Sequence, residues 1–173
     1  GGVVNNPQNS IGIEDLDLMP YPDYSDYDMK KLMNWGAKYT QNFQFKQFPV
    51  GIMMTSRGCP YRCTYCAAGK DLNPINDRKN VRTRSPENIL GEIDYLRESY
   101  GIRELIMVDD SLLLPSDRAI GFMKGMAERR KNGSDLVWKS NNLDIRHINE
   151  EILDWMKESG CYQLSFSLES GSK

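Results

Sequence analysis

Cys59, Cys63 and Cys66 stand within one eight-residue stretch, and the chain holds one further cysteine, Cys161. Three thiolates so close together cannot all pair as disulfides with one another, so the surplus of sulfur needs another chemistry. Soft thiolates gathered in one place select zinc, copper(I) or an iron–sulfur cluster. Structural zinc takes four protein ligands, and no fourth lies nearby; the lone histidine, His147, is far along the chain. A 4Fe–4S cluster ordinarily takes four cysteines as well, so with three one iron keeps an open position of the kind a substrate or cofactor needs. Blander accounts remain beside this one. Cysteines at i, i+4 and i+7 could form a buried helical stripe, although Gly58, Pro60 and the charged Arg57 and Arg62 argue for a loop. Cys63-x-x-Cys66 alone could be a redox pair, which leaves the third cysteine unexplained. A zinc site that borrows a remote ligand is the stronger rival.

The spacing Cys59-x-x-x-Cys63-x-x-Cys66, with Tyr65 just before the third cysteine and Ser56-Arg57-Gly58 ahead of the first, resembles the cluster motif of the radical S-adenosylmethionine (radical SAM) superfamily. The resemblance implies a 4Fe–4S cluster on those three side chains, its open iron binding the amino and carboxylate groups of S-adenosylmethionine. An electron from the cluster would then cleave the sulfonium to methionine and a 5′-deoxyadenosyl radical that abstracts hydrogen. In such a division of labour the cofactor carries the hard chemistry and the protein holds it in place.

The elements that must position these residues follow a repeating pattern. The chain has 173 residues, enough for one domain with a sizeable core. Val50–Thr55 reads as a buried strand that delivers the cysteine loop. Ser85 and Pro86 start a helix with the stripe Ile89, Ile93 and Leu96, stopped at Gly101. Glu104–Asp110 is a second strand. Ser116 is expected to cap a second helix, with Ala119, Ile120, Met123 and Ala127 on one side, closing near Asn132–Gly133. Leu136–Ser140 is a third strand, Asn149–Ser159 a third helix with Ile152, Leu153 and Met156 inward, and Gln163–Leu168 a fourth strand. Strands alternating with helices predict an α/β fold with a parallel sheet. By resemblance this is a partial (βα)6 TIM-like barrel of the radical SAM type, of which about the first four strands are present. Residues 48–173 then form the N-terminal part of the core.

Residues 1–47 read as a lead-in. Ile13–Asp28 holds six acids, no bases, two prolines and three tyrosines with no sustained period, which composition alone would make a solvated linker. Ile13-Glu-Asp-Leu-Asp-Leu-Met-Pro-Tyr-Pro-Asp23, however, resembles the linker of radical SAM proteins that carry an N-terminal cobalamin-binding domain, and so implies such a domain upstream. Met29–Tyr39 is expected to form a short helix. The chain begins Gly1-Gly2-Val3 and stops after a strand-like segment, the pattern of a fragment.

In barrels of strand–helix units, ligand contacts gather at the carboxyl ends of the strands. Polar residues fall at those ends: the three cysteines after the first strand, Asp109 and Asp110 after the second, Ser140 and Asn141 after the third, Glu169 after the fourth. By resemblance, Val108-Asp-Asp-Ser-Leu112 takes the place of the family's Gly-Gly-Glu motif, which meets the cofactor's amino group, though the literal triplet is absent. The segment Leu168-Glu-Ser-Gly-Ser172 resembles a fourth-strand motif in which Glu169 accepts hydrogen bonds from the ribose hydroxyls, and Tyr65 would pack beside the adenine. Arg146 is a candidate partner for the cofactor's carboxylate. The alternative for Asp109 and Asp110 is a capping or turn role, and for Glu169 that of an ordinary strand-end carboxylate; Cys161 and the methionines read as core filling. His147 reads as a polar surface or loop residue. Residues 57–84 carry seven bases against two acids, most of them solvated loop charges.

The expected whole is a radical SAM enzyme core, cobalamin-dependent and of methyltransferase type, acting on a small-molecule or peptide substrate and fed by an electron donor such as flavodoxin or ferredoxin. The rivals are a methylthiotransferase of tRNA or protein and a non-catalytic zinc or iron–sulfur module. A net charge of −2 gives no sign of a nucleic-acid partner. No apolar run approaches the roughly 18 residues of a membrane span, and clustered reduced thiols suit the cytoplasm.

Overall fold

The computed structural model describes residues 13–29, 31–32, 45–66, 81–166 and 171. Its elements run β1 (Val50–Met53), β2 (Ser56–Arg57), β3 (Arg82–Thr83), α1 (Pro86–Tyr100), β4 (Glu104–Met107), α2 (Ser116–Lys131), β5 (Val137–Leu143), α3 (Glu150–Glu158) and β6 (Cys161–Phe166). Four strands form one parallel sheet in the order β1-β4-β5-β6, in register at Val50↔Glu104 and Glu104↔Val137. Each expected strand–helix unit is therefore present. The two-residue strands β2 and β3 pair antiparallel beside the cysteine loop; elements so short carry no periodicity that a sequence reading could use.

Alternation along the strands decides which face the helices cover. Met53, Leu105, Met107 and Trp138 share one buried cluster with Ile89 and Ile93 of α1, Phe122 and Met123 of α2, and Ile152 and Met156 of α3. All three helices thus lie on the same side of the sheet, as in a barrel and unlike a doubly wound sheet. The opposite face carries Ile52, which is 59% exposed. Near the amino ends of the strands that inner side is closed by Glu104, which is fully buried. Its Oε2 accepts the backbone N–H groups of Lys46 (2.7 Å) and Gln47 (2.8 Å), and its Oε1 accepts the Tyr162 hydroxyl. Lys139 lies buried nearby, its Nζ 4.3 Å from the centre of the Phe45 ring. Burial pushes its ammonium below the usual lysine range, opposed by the charge of Glu104.

The caps follow the expected chemistry with one correction. Ser85 Oγ accepts Asn88 N at 3.1 Å, and Asn149 Oδ1 accepts Ile152 N at 2.8 Å. Ser116 does not cap α2. Pro115 holds that place in an extended conformation without a side-chain bond, and its carbonyl accepts Ala119 N, which makes Ser116 the first helical residue. Leu153, expected inward, is exposed, because the face α3 turns to the core carries the buried i, i+4 pair Ile152 and Met156, with Trp155 partly buried beside them.

Asp15–Tyr24 does not lie free as a solvated linker; it runs as a strap along α1. Leu16–Leu18 forms a 3-10 turn with Leu16 buried. Asp17 Oδ1 accepts Ser85 N at 2.9 Å, Tyr21 donates to Asn88 O at 3.1 Å, and the Tyr100 hydroxyl accepts Tyr24 N at 2.9 Å. Rings of Tyr21 and Tyr95, and of Tyr24 and Tyr100, meet at 5.8 and 5.5 Å. Gly91 makes this approach possible, since a Cβ there would sit 2.5 Å from the Tyr21 hydroxyl. Of the helix expected over Met29–Tyr39, Met29, Lys31 and Leu32 are helical, and the rest lies outside the described residues. No described helix is long and apolar enough to cross a membrane.

Candidate functional site

The cysteine loop leaves β1 at its carboxyl end through Thr55 and Ser56, then turns at Gly58, whose φ of +95° is a conformation that side-chain-bearing residues rarely adopt. All three cysteines are free thiols; Cys59 and Cys66 are half-buried and Cys63 is exposed. Cys66 N donates to Cys63 O at 3.1 Å, closing a turn that keeps these two on one arc. Among the described residues no three Cys, His, Asp or Glu side chains converge as they would around one metal ion. Three thiols in one loop are a donor set that suits a cluster whose irons each take one sulfur.

The root of the loop is held by a buried polar lattice. Asp109, 1% exposed, accepts three hydrogen bonds on Oδ1: from Thr55 N (2.9 Å), Thr55 Oγ1 (2.8 Å) and Ser56 Oγ (2.6 Å). Arg118 reaches in from α2. Its Nη1 donates to Thr55 Oγ1 at 2.7 Å, and its Nη2 donates to the carbonyls of Leu112 (2.6 Å) and Leu114 (3.1 Å). Burial lowers the affinity of this guanidinium for its proton, and the Asp109 carboxylate opposes that. Thr55 links the two charges by giving a hydrogen to one and taking one from the other, while Asp109 Oδ2 and Arg118 Nε lie buried without a hydrogen-bond partner among the described residues. In the same β4–α2 loop Ser111, also buried, directs its hydroxyl at Cys59 Sγ, 3.7 Å away.

On its other flank the loop meets the turn after β5. Tyr61, between the first two cysteines, hydrogen-bonds through its hydroxyl to His147 Nε2, and the two rings stack at 6.2 Å. Arg146 lies over the Tyr61 ring with its Cζ 4.2 Å from the centre. The same guanidinium forks onto Asp144, Nε to Oδ1 at 2.9 Å and Nη2 to Oδ2 at 2.5 Å. Partial burial raises the Tyr61 phenol above its ordinary range, with the Asp144 charge adding to the effect.

Several residues singled out in the sequence find different surroundings. Asp109 lies beneath the surface and serves as framework, while Asp110 beside it is exposed. Ser140 is buried and Asn141 half-buried at the end of β5. Tyr65 is 67% exposed next to Cys66. Arg146 is engaged by Asp144, and His147 by Tyr61. Cys161 packs half-buried against the core, and burial pushes its thiol up to about 12. Glu169 and most of the segment 168–172 lie outside the described residues. Thr55, Ser111, Arg118 and Tyr61 escaped the sequence reading. Tyr61 had one available signal, its place inside the cysteine spacing; the others act through contacts far apart in the chain.

Known proteins resemble this chain in sequence and in fold. The model of the family described as Radical SAM superfamily matches residues 53–173. An uncharacterized methyltransferase of Pyrococcus horikoshii is 31% identical over 172 residues, covering 99% of this chain and 33% of that protein. The cytidylyl-2-hydroxyethylphosphonate methyltransferase of Streptomyces wedmorensis is 31% identical over 171 residues, covering 96% of this chain and 29% of its own length. The chain thus spans about a third of the curated relatives it matches. Among solved structures, the radical S-adenosylmethionine methyltransferase TsrM of Kitasatospora setae, with cobalamin and a [4Fe-4S] cluster bound, superposes with a TM-score of 0.58 at 20% identity, over 69% of this chain and 22% of that one.

Proposed function

Because the chain belongs to the radical SAM superfamily, we propose that it is the cluster-binding part of a cobalamin-dependent methyltransferase. Cys59, Cys63 and Cys66 hold a 4Fe–4S cluster at the carboxyl edge of the sheet. Once bound, the cluster supplies the electron that cleaves S-adenosylmethionine reductively. The work of this chain is to fix where that happens. Asp109 and Arg118 anchor the root of the loop, Tyr61 docks its middle on the β5–α3 turn, and Tyr65 offers an exposed ring beside Cys66 for the adenine. Asp110, Asn141 and Glu169 are candidates for the cofactor's polar groups. Ser140, the remaining candidate, is buried in β5 between β4 and β6.

The strap supports the cobalamin part of this reading. Ile13 O accepts a hydrogen bond from Arg82, in the β3 strand beside the cysteine loop. A cobalamin-binding domain joined upstream of Ile13 would enter at the cluster end of the fold. Both relatives named above are methyltransferases, which supports methyl transfer over methylthiolation. The substrate and a flavodoxin- or ferredoxin-like electron donor complete the proposal.

The observation that carries the reading is three free thiols, Cys59, Cys63 and Cys66, on one anchored loop at the carboxyl end of β1. Anaerobic reconstitution with ferrous iron and sulfide tests it. One cluster per chain should form, its absorption should change on addition of S-adenosylmethionine, and replacing all three cysteines by alanine should abolish iron uptake. A colourless, zinc-loaded protein, or iron undiminished in the triple variant, would overturn it.

A further inference from the structure

We propose that Ser111 donates its hydroxyl hydrogen to the sulfur of Cys59 and thereby raises the reduction potential of the cluster held there; the inference rests on the cluster reading above. Ser111 sits on the β4–α2 loop, on a different element from the cysteine motif, 52 residues along the chain from Cys59. Its Oγ lies 3.7 Å from Cys59 Sγ, within hydrogen-bond range for sulfur, and the residue is 8% exposed, so bulk water does not compete freely for the hydroxyl.

The serine is also held from both sides. Two residues before it, Asp109 is locked to Thr55 and Ser56 by three hydrogen bonds on one oxygen. After it, the carbonyls of Leu112 and Leu114 are tied to Arg118, and the carbonyl of Ser111 itself accepts Leu114 N at 3.2 Å. Arg118 and Asp109 share Thr55, at the root of the cysteine loop. The same lattice that fixes the loop carrying Cys59 thus fixes the loop carrying its donor, and their separation does not depend on either loop alone. Arg118 and Asp109 act as positioning residues, through Ser111 and Thr55.

A hydrogen bond to a cysteinate ligand draws off negative charge, so it favours the more negative, reduced state of a cluster; such bonds are among the recognised determinants of cluster potential. Ser111 bears on one of the three ligands, and that ligand is half-buried whereas Cys63 is exposed.

The test is an electron-paramagnetic-resonance redox titration of the reconstituted full chain in wild-type, S111A and S111T forms, with iron content measured in each. S111A should keep its iron and show a more negative midpoint, and S111T, which retains a hydroxyl, should return toward the wild-type value. A normal cluster in S111A with an unmoved midpoint overturns the inference and leaves the cluster reading standing. Should S111A lose iron, S111T decides. Iron retained at the wild-type midpoint supports the hydroxyl's part, and iron lost there too assigns the effect to packing and overturns it. A wild-type chain that takes up no cluster overturns the reading beneath both.

Discussion

The fork from Arg146 holds the Asp144 carboxyl down at about 2, its side-chain hydrogen bonds being the main cause and partial burial opposing them. An ordinary aspartate titrates near 3.9, so as pH falls an unfolded chain takes up this proton first. The contribution of the fork is therefore complete above about pH 5 and is lost as pH falls through about 4 toward 2. Carboxyl-carbon NMR should give Asp144 a midpoint near 2, and R146A should return it to the usual carboxylate range. A midpoint unmoved in R146A would show that the fork is not the cause. The contact matters beyond its own charge, because the same guanidinium covers the Tyr61 ring inside the cysteine motif. Arg118 marks the limit of sequence reading at this scale. An arginine on a helix ordinarily reads as solvent-facing, and what draws this one inside, the carbonyls of Leu112 and Leu114 and the hydroxyl of Thr55, is assembled only in the folded chain.

Among the elements, the strap and α1 form the least expected partnership. Replacing Gly91 by alanine separates two effects that usually travel together. Alanine favours a helix over glycine by roughly 1 kcal/mol, yet its Cβ would stand 2.5 Å from the Tyr21 hydroxyl. Hydrogen exchange in G91A should show faster amides in the strap around Tyr21 while α1 stays as protected as before. Equal protection of the strap in both proteins would show that Tyr21 is not seated there. Regular elements were legible because local chemistry writes them: a serine cap with proline behind it for α1, an apolar stripe stopped by a glycine for α3, apolar runs for β1 and β4. The strap was not, since its hydrogen bonds reach across 67 and 76 residues and its composition is that of a linker. The start of α2 was misassigned for a related reason. A serine in capping position reads as a cap, but the proline before it had already supplied the extended residue and the first carbonyl.

Across the whole molecule, Glu104 joins three pieces of chain: the segment leading into β1, β4 itself, and β6 through Tyr162. Its loss would take the accepting carboxylate away from the backbone N–H groups of Lys46 and Gln47 and from the Tyr162 hydroxyl, and the charge that opposes the effect of burial on Lys139. Breaking a buried charged group's contacts on one side costs about 3 kcal/mol or more. E104A should accordingly lower the urea midpoint by that equivalent with an unchanged slope, and a midpoint within error of wild type would refute the joining role. The fold class was readable in the residues, because alternating strands and helices are a local pattern, and the three closely spaced thiols stood out as a group for the same reason. The closure around Glu104 was invisible there, since a charged residue opening an apolar strand looks like its solvent-facing end. That closure has a consequence for traffic. A guest approaching the inner face of these strands meets Glu104, Tyr162 and the backbone of Lys46 and Gln47 at the amino ends, whereas the cysteine loop stands at the carboxyl ends.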